Sequence, residues 1–329
     1  MLRALFVLLL VAPFARAQER LLTIDDIYDP VKRVDFAGNP PSPRWLKDGE
    51  HYLLANRGGG RGAAGAVGRT PSQLMRVNAR TGEAAPFLDS AKMQAALAAL
   101  PGMGADDARR LANQSSYQLN AAQTAVLLNH AKDLFVYDLG TQKSARLTNG
   151  PEAEENENFS PDGRMVSFVR ANNLYVVDVA TQRERQLTTD GSPKMINGKL
   201  DWVYQEELYG RGNFDGAWWS PDSTKIAFLQ LDESPVPLFA VVDHIPVHQE
   251  VELTPYPKAG DPNPIVRVGI VDAAGGEVRW VDTASKYKPE DLLVVRVAWT
   301  PDGKRVAYEA QNREQTWLDL NFASAQDGK

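Results

Sequence analysis

The sequence contains no cysteine and only four histidines among its 329 residues. The absence of cysteine excludes disulfides, thiol catalysis and cysteine-ligated zinc. Three catalytic signatures are also missing: the Gly-x-Ser-x-Gly nucleophile elbow, the P-loop and the His-Glu-x-x-His zinc motif. The formal net charge of −6 gives no electrostatic support for binding nucleic acid. We therefore expect no cofactor, no metal and no nucleic-acid partner.

Long apolar runs are scarce, and the one near the N-terminus is informative. Leu5–Ala12 is too short to cross a bilayer, and the positively charged Arg3 precedes it. Ala15–Ala17 fits a small-residue cleavage site before Gln18. This order predicts a signal peptide over residues 1–17, although a buried N-terminal helix could also contain such a run. We expect the mature chain to be exported, either periplasmic or secreted, without a membrane span.

An opening motif recurs along the chain: an aromatic residue, a turn sequence of the Ser/Thr-Pro-Asp type, and then an apolar strand. Copies begin at Phe159, Trp219 and Trp299, a degenerate copy begins at Trp45, and a matching set of strands starts at Ala125. We expect the aromatic residue to anchor the start of a strand and the Pro-Asp-Gly sequence to turn the chain. Repeated units of short strands that stack radially form a β-propeller. A β-sandwich is the alternative, but sandwiches do not repeat an opening motif. The sequence thus predicts an all-β propeller of four-stranded blades.

Two stretches interrupt the repeat. Ser90–Leu100 has a helical pattern with a cap at Asp89 or Ser90 and a stop at Pro101, which predicts a small helical insertion over about residues 89–112. The wide gap between the last two copies of the motif must hold one blade or parts of two. It also contains a proline-rich excursion from Ser234 to Pro264.

Two motifs that suggest ligands have simpler explanations. Gly60–Gly65 matches Gly-x-Gly-x-x-Gly, and Glu83 follows at the distance of a ribose-binding acid, but no helix pattern follows the glycines. We predict a flexible loop there. His244 and His248 have the spacing of a metal pair on a helix, but Pro246 opposes a helix. On a strand the two histidines would lie about 13 Å apart, so we interpret them as turn or surface residues.

One succession of motifs is specific enough to indicate a family. It runs Asp201-Trp202-Val203-Tyr204-Gln205-Glu206-Glu207-Leu208-Tyr209, Trp218-Trp219-Ser220-Pro221-Asp222, Glu233–Pro237 and Pro255–Pro264. In content and order it resembles the N-terminal β-propeller of the dipeptidyl peptidase IV family, in the prolyl oligopeptidase superfamily. The propeller of that family carries an inserted Asp-Trp-Val-Tyr-Glu-Glu-Glu segment. The prolines of the last motif fix an extended path, and we assign no ligand to them.

The resemblance implies that Glu206 and Glu207, in the segment 201–209, bind the free N-terminus of a peptide substrate. Two carboxylates suit an ammonium group, which has three donors and no acceptor. Adjacent side chains of a strand point to opposite faces, so both could reach one amine only from a helical turn or a bend. Gln205 stands where many relatives have a third glutamate, but the pair itself is unaffected.

The resemblance also implies the wider context of the chain. Members of the family join an eight-bladed propeller to a C-terminal α/β-hydrolase domain with a Ser, Asp, His triad, and they release dipeptides from peptide N-termini. We expect residues 18–329 to be an incomplete propeller that lacks this hydrolase domain, taken from an exported serine-type dipeptidyl aminopeptidase that forms a homodimer at full length. Without a nucleophile the chain alone is not expected to cleave peptides. A stand-alone periplasmic protein-binding propeller without enzymatic activity is the alternative.

Overall fold

The computed structural model of the protein describes residues 21–29, 43–56 and 73–329. The chain divides into two compact units, residues 1–42 and residues 43–329. The predicted signal peptide and the Gly60–Gly65 motif lie outside the described residues.

The first unit contains a short helix, α1 (Ile24–Tyr28). Thr23 caps its N-terminus, because the Thr23 hydroxyl accepts a hydrogen bond from the backbone N–H of Asp26. In return, the Asp26 carboxylate accepts a hydrogen bond from the backbone N–H of Thr23 at 2.9 Å. This reciprocal capping box satisfies N–H groups that the first turn of a helix leaves unpaired.

The second unit is built from antiparallel sheets whose strands mostly follow one another in sequence order. The first sheet contains β1 (Arg44–Trp45), β2 (His51–Asn56), β3 (Gln73–Asn78) and β4 (Ala84–Pro86). The second contains β5 (Gln118–Leu119), β6 (Ala125–His130), β7 (Asp133–Asp138) and β8 (Lys143–Arg146). The third contains β9 (Glu154–Phe159), β10 (Met165–Arg170), β11 (Asn173–Asp178) and β12 (Glu184–Gln186).

The fourth and fifth sheets complete the described part of this unit. The strands between residues 195 and 255 are β13 (Met195–Asn197), β14 (Ala217–Trp219), β15 (Lys225–Asp232), β16 (Leu238–Asp243) and β17 (Glu250–Pro255). They are followed by β18 (Ile265–Asp272), β19 (Arg279–Trp280), β20 (Leu292–Trp299), β21 (Arg305–Asn312) and β22 (Leu318–Ser324). The fourth sheet combines β13, β14, β15, β18 and β19, the fifth is β20–β21–β22, and β16 pairs only with β17.

Apolar side chains fill the spaces between consecutive sheets. One cluster joins the second sheet to the third and includes Leu134 and Phe168. The next joins the third sheet to the fourth and includes Leu174 and Phe228. Further clusters join the first sheet to the second and the fourth to the fifth. Because neighbouring sheets bury each other's apolar faces, the sheets are stacked as propeller blades, and the predicted fold class is confirmed.

The repeated aromatic residue ends the first strand of a blade, whereas the sequence suggested that it starts a strand. Phe159 is the last residue of β9, and Trp219 is the last residue of β14. The next residues turn the chain into the second strand. In this turn the hydroxyl of Ser160, or of its equivalent Ser220, donates to the aspartate two residues later at 2.6 Å. The motif marks this turn because serine and aspartate side chains form such local hydrogen bonds readily.

Two helices lie between the first and second blades, within the predicted insertion. They are α2 (Ser90–Ala98) and α3 (Ala105–Ala112). The carboxylate of Asp89 caps α2, since it accepts hydrogen bonds from two backbone N–H groups of the first turn. Met93 and Leu97 of α2 are fully buried in the cluster that joins the first two blades. The insertion therefore contributes to the core rather than lying loosely on the surface.

The wide gap between Trp219 and Trp299 holds the rest of the fourth blade, a hairpin and β20, the first strand of the fifth blade, so it contains parts of two blades. The hairpin, called the arm below, consists of β16 and β17 and spans Leu238–Pro255 within the proline-rich excursion. The register of the arm places six apolar side chains on one face: Leu238, Ala240, Val242, Val251, Leu253 and Pro255. The other face carries Phe239, Val241, Asp243, Glu250, Glu252 and Thr254.

Candidate amine-binding site

The double-glutamate segment interrupts the first strand of the fourth blade. Both β13 and β14 pair with β15, and the chain between them leaves the sheet and returns to it. Gly198 and Gly216 stand at the two ends of this excursion, and both hydrogen bond to Leu229 of β15 at 2.9 Å. A Cβ atom added to Gly216 would lie 3.0 Å from the backbone of Gly198, so the close approach of the two ends requires glycine here.

Within this excursion, Glu206 and Glu207 lie on one turn of π-helix, Tyr204–Leu208. The turn is closed by a hydrogen bond from the backbone N–H of Tyr209 to the carbonyl oxygen of Tyr204 at 2.8 Å. Its start is held by the carboxylate of Asp201, which accepts from the backbone N–H of Tyr204 at 3.0 Å. The helical turn is the geometry that two adjacent side chains need in order to reach the same side of the chain. Single turns of π-helix occur often at functional sites.

The fifth blade anchors this turn through the backbone of Val294. The backbone N–H of Val294 donates to the Tyr204 hydroxyl, and the Tyr209 hydroxyl donates to the Val294 carbonyl, both at 3.3 Å. The register of β20 against β21 shifts between Val294 and Arg296, which marks a β-bulge. Arg296 donates a further hydrogen bond to the carbonyl of Leu208 at 2.9 Å. The position of the turn therefore depends on the neighbouring blade as well as on its own sequence.

Aromatic contacts tie the other side of the segment to the base of the arm. The rings of Trp202 and Tyr256 lie 4.3 Å apart, and the ring of Tyr256 lies 5.6 Å from that of Phe239 on the arm. On the inner side, Tyr209 stacks on Trp218 at 6.0 Å. These contacts explain why the segment is rich in aromatic residues, since each ring contributes a large contact area.

The two glutamates have different surroundings. The Glu206 side chain is only 17% exposed, and its Oε1 accepts hydrogen bonds from Nε of Arg211 at 2.6 Å and from Nη2 of the same residue. This contact lowers the pKa of Glu206, so the carboxylate stays ionised. Glu207 is exposed, and its carboxylate has no hydrogen bond to any residue in the described ranges. The second oxygen of Glu206 and both oxygens of Glu207 accept no hydrogen bond from the described residues, so they retain the capacity to accept from a cationic ligand.

Gln205, which sequence reasoning treated only as a departure from the family, has a clear structural role. Its side chain is buried, and its Oε1 accepts a hydrogen bond from the backbone N–H of Gly212 at 2.8 Å. This contact fixes the loop that carries Arg211. Sequence reasoning also missed Arg211, because nothing in its spacing from the glutamates predicts that the loop turns back on the helix.

Two further carboxyl groups near the turn are buried: Asp201, at the start of the segment, and Glu233. Burial raises the pKa of Asp201 to about 6. Burial also raises the pKa of Glu233 to about 7, and the charge of Asp201 adds to this effect. Glu233 is 6% exposed, and its carboxylate has no hydrogen bond to the described residues. The charge of Lys199 acts in the opposite direction, but its ammonium group is engaged with Glu155 at 2.7 Å. Glu233 belongs to a motif that the sequence singled out, but its burial could not be predicted.

The two histidines considered as a metal pair lie in the connection between the strands of the arm. His244 and His248 are both exposed there, and no helix spans them. In the described ranges, no group of three or more His, Asp or Glu side chains is arranged to hold a metal ion. No helix within those ranges has the length and apolar character needed to cross a membrane.

The stacked blades and the split strand define a propeller-type domain with an inserted acidic turn. Comparison with known proteins identifies it further. The family model described as "Dipeptidyl peptidase IV (DPP IV) N-terminal region" matches residues 120–329. The chain belongs to this family, as the sequence motifs indicated.

Individual relatives agree with this assignment. The chain is 28% identical over 340 residues to "Probable dipeptidyl-aminopeptidase B" of Chaetomium globosum, a match that covers 92% of this chain and 34% of the relative. It is 37% identical over 190 residues to "Probable dipeptidyl peptidase 4" of Aspergillus clavatus, covering 55% of this chain and 24% of the relative. The crystal structure of Porphyromonas gingivalis dipeptidyl peptidase 4 superposes with a TM-score of 0.69 and 25% identity, covering 87% of this chain and 38% of that one. The chain thus spans about a third or less of the length of these curated relatives.

Proposed function

We propose that this chain is the substrate-gating, amine-binding propeller portion of an exported serine-type dipeptidyl aminopeptidase. The observation that carries this proposal is the presence of two adjacent carboxylates on one π-helical turn, held outside the sheet by a split strand. Such a pair can accept hydrogen bonds from the ammonium group of a peptide N-terminus. The names of the relatives, which are dipeptidyl peptidases and aminopeptidases, support the same substrate class.

Cleavage of a peptide bond needs a nucleophile in addition to this site. The sequence has no Gly-x-Ser-x-Gly motif, so the catalytic serine of the proposed peptidase would come from an α/β-hydrolase domain outside these residues. In that arrangement the glutamates fix the N-terminus of the peptide, and the distance from them to the nucleophile sets how many residues are released. The propeller thereby determines that dipeptides are the product.

The test compares a dipeptide amide with a free N-terminus and its N-acetylated form for binding to the chain, by ligand-observed NMR. The free form should bind and the acetylated form should not, because acetylation removes the ammonium charge. Glu206→Gln and Glu207→Gln should each weaken binding of the free form about tenfold or more, since charge-assisted hydrogen bonds are lost. Glu314→Gln, which removes an exposed charge on the fifth blade, is the control. Equal binding of free and acetylated peptides would contradict the proposal.

The arm supports a second proposal, that the protein self-associates through the apolar face of the arm. Leu253 on this face is 60% exposed, and so are large parts of its apolar neighbours. A two-fold dimer would pair this face with an identical one and bury it, which is the commonest arrangement of homo-oligomers. An exposed apolar face would also suit a protein-binding propeller without enzymatic activity, so the arm does not distinguish that hypothesis from the peptidase hypothesis. The acidic turn favours the peptidase.

Light scattering after size-exclusion chromatography tests the role of the arm. Leu253→Asp places a charge on the apolar face and should shift a dimer toward the monomer. Val241→Asp, at a 47% exposed position on the opposite face, is the matched control and should leave the mass unchanged. If both variants behave as the unmodified chain does, the apolar face is not the interface.

A further inference from the structure

A tight loop fixes Arg211 beside the double-glutamate turn. Gly210 and Gly212 on either side of it have φ values of +102° and +82°, in the region that favours glycine. The backbone N–H of Asn213 donates to the carbonyl of Gly210 at 2.9 Å and closes the loop. The buried Gln205 side chain holds the backbone N–H of Gly212 from below. Arg211 is therefore presented by a defined backbone and not by a long free loop.

Only part of the Arg211 guanidinium is used by its contact with Glu206. Both Nε and Nη2 donate to the same oxygen, Oε1 of Glu206, and the Arg211 side chain is 85% exposed. A guanidinium has five N–H donors, so further donors of Arg211 face solvent next to the carboxylate pair. The other arginine near the segment, Arg296, directs its Nη1 to the carbonyls of Leu208 and Val295.

We infer that Arg211 is a specificity-determining residue for the first side chain of the peptide, and that it favours acidic over basic first residues. This inference rests on the proposed function of Glu206 and Glu207 as the amine-binding pair. The first side chain is attached to the carbon that carries the ammonium group, so a charge on that side chain lies within about 8 Å of the bound amine. Arg211 touches Glu206 directly and is therefore close enough to attract a carboxylate and repel a second ammonium.

The experiment measures binding of Glu-Pro amide and Lys-Pro amide to the full chain at low ionic strength and pH 6.5. The quantity of interest is the ratio of the two affinities, because it cancels any general weakening of the site. Replacing Arg211 by Gln should shift the ratio toward Lys-Pro amide about tenfold, since a unit charge near this distance acts with opposite sign on the two peptides. Arg211→Glu should shift it further in the same direction, and Arg211→Lys should shift it least.

Arg164→Gln is the matched control, since the Arg164 side chain is 84% exposed on the third blade and its loss changes the net charge by the same amount. Its affinity ratio should equal that of the unmodified chain. An unchanged ratio in Arg211→Gln and Arg211→Glu, or an equal shift in Arg164→Gln, would overturn the inference. If at the same time the chain still prefers free over N-acetylated peptides, the proposed function survives. Loss of that preference in the unmodified chain is the separate result that refutes the proposed function.

Discussion

Replacing Glu233 by glutamine should make the chain more stable at neutral and alkaline pH. Glu233 is buried without a hydrogen-bonded partner among the described residues, and Asp201, at the start of the double-glutamate segment, adds a like charge nearby. Lys199, whose charge favours the ionised form of Glu233, is bound to Glu155. Ionising Glu233 in the folded chain is therefore unfavourable, and glutamine has the same shape without the charge.

The magnitude follows from the shift in the pKa of Glu233 from 4.5 to about 7. Because the folded-state pKa lies above the unfolded one, the folded chain retains a proton that the unfolded chain releases as the pH rises through this window. Folding is therefore favoured most below pH 4.5, and the stabilisation is lost as the pH rises to about 7. The full difference corresponds to about 3 kcal/mol, of which about 2 to 3 kcal/mol develops between pH 5 and pH 8. Asp201 is present in both proteins, so the comparison reports the loss of the Glu233 carboxyl group together with its interaction with Asp201.

Urea unfolding at pH 5 and pH 8 measures this difference. The unmodified chain should lose more stability than Glu233→Gln between the two pH values, and the variant should be the more stable protein at pH 8. Glu314→Gln, at an exposed glutamate, should keep the pH dependence of the unmodified chain. If Glu233→Gln retains that same pH dependence, Glu233 is already ionised at pH 5 in the folded state and the reasoning from burial is wrong.

Three other predictions concern the anchor of the site, the helical insertion and export. Tyr204→Phe should lower the free energy of unfolding by about 1 to 3 kcal/mol in urea titrations, because the buried N–H of Val294 loses its acceptor. The control is Tyr175→Phe, which removes a hydroxyl that has no hydrogen bond in the described residues and should lower the free energy of unfolding less. Asp89→Ala should lower it by about 1 kcal/mol, because two N–H groups of α2 lose their cap, and an unchanged urea midpoint would contradict the capping role. N-terminal sequencing of protein exported by cells that express the whole chain should begin at Gln18, whereas recovery of the uncleaved chain would contradict the signal peptide.

The propeller could be predicted from the sequence because its signals are local and repeated. A Pro-Asp turn after an aromatic residue forms its hydrogen bonds within a few residues, as the contact between Ser160 and Asp162 shows. The cap of α2 is equally local, and Asp89 was among the residues expected to provide it. The error over the aromatic residue, which ends a strand and does not start one, arose because alternation alone does not tell which of two adjoining strands a boundary residue joins.

The environment of the site could not be predicted because its contacts join residues far apart in the sequence. The sequence indicated Glu206 and Glu207 through family motifs and required a helical turn for them to act together. It gave no sign that Val294 would hold that turn from another blade through a β-bulge. It also gave no sign that Arg211 would pair with Glu206, since that contact depends on the loop geometry set by two glycines.

The construction of the segment bears on which of the two functions is the better hypothesis. A propeller that only docks proteins has no need of a helical excursion between the two halves of the first strand of a blade, β13 and β14. Here the break is stabilised by contacts that converge on one short helical turn: Asp201 at its start, Val294 behind it and Gln205 beneath the adjoining loop. Contacts of this kind are needed to hold side chains in fixed positions for a small ligand. The rigid support of the helical turn that carries Glu206 therefore favours recognition of a defined chemical group over docking of a protein surface.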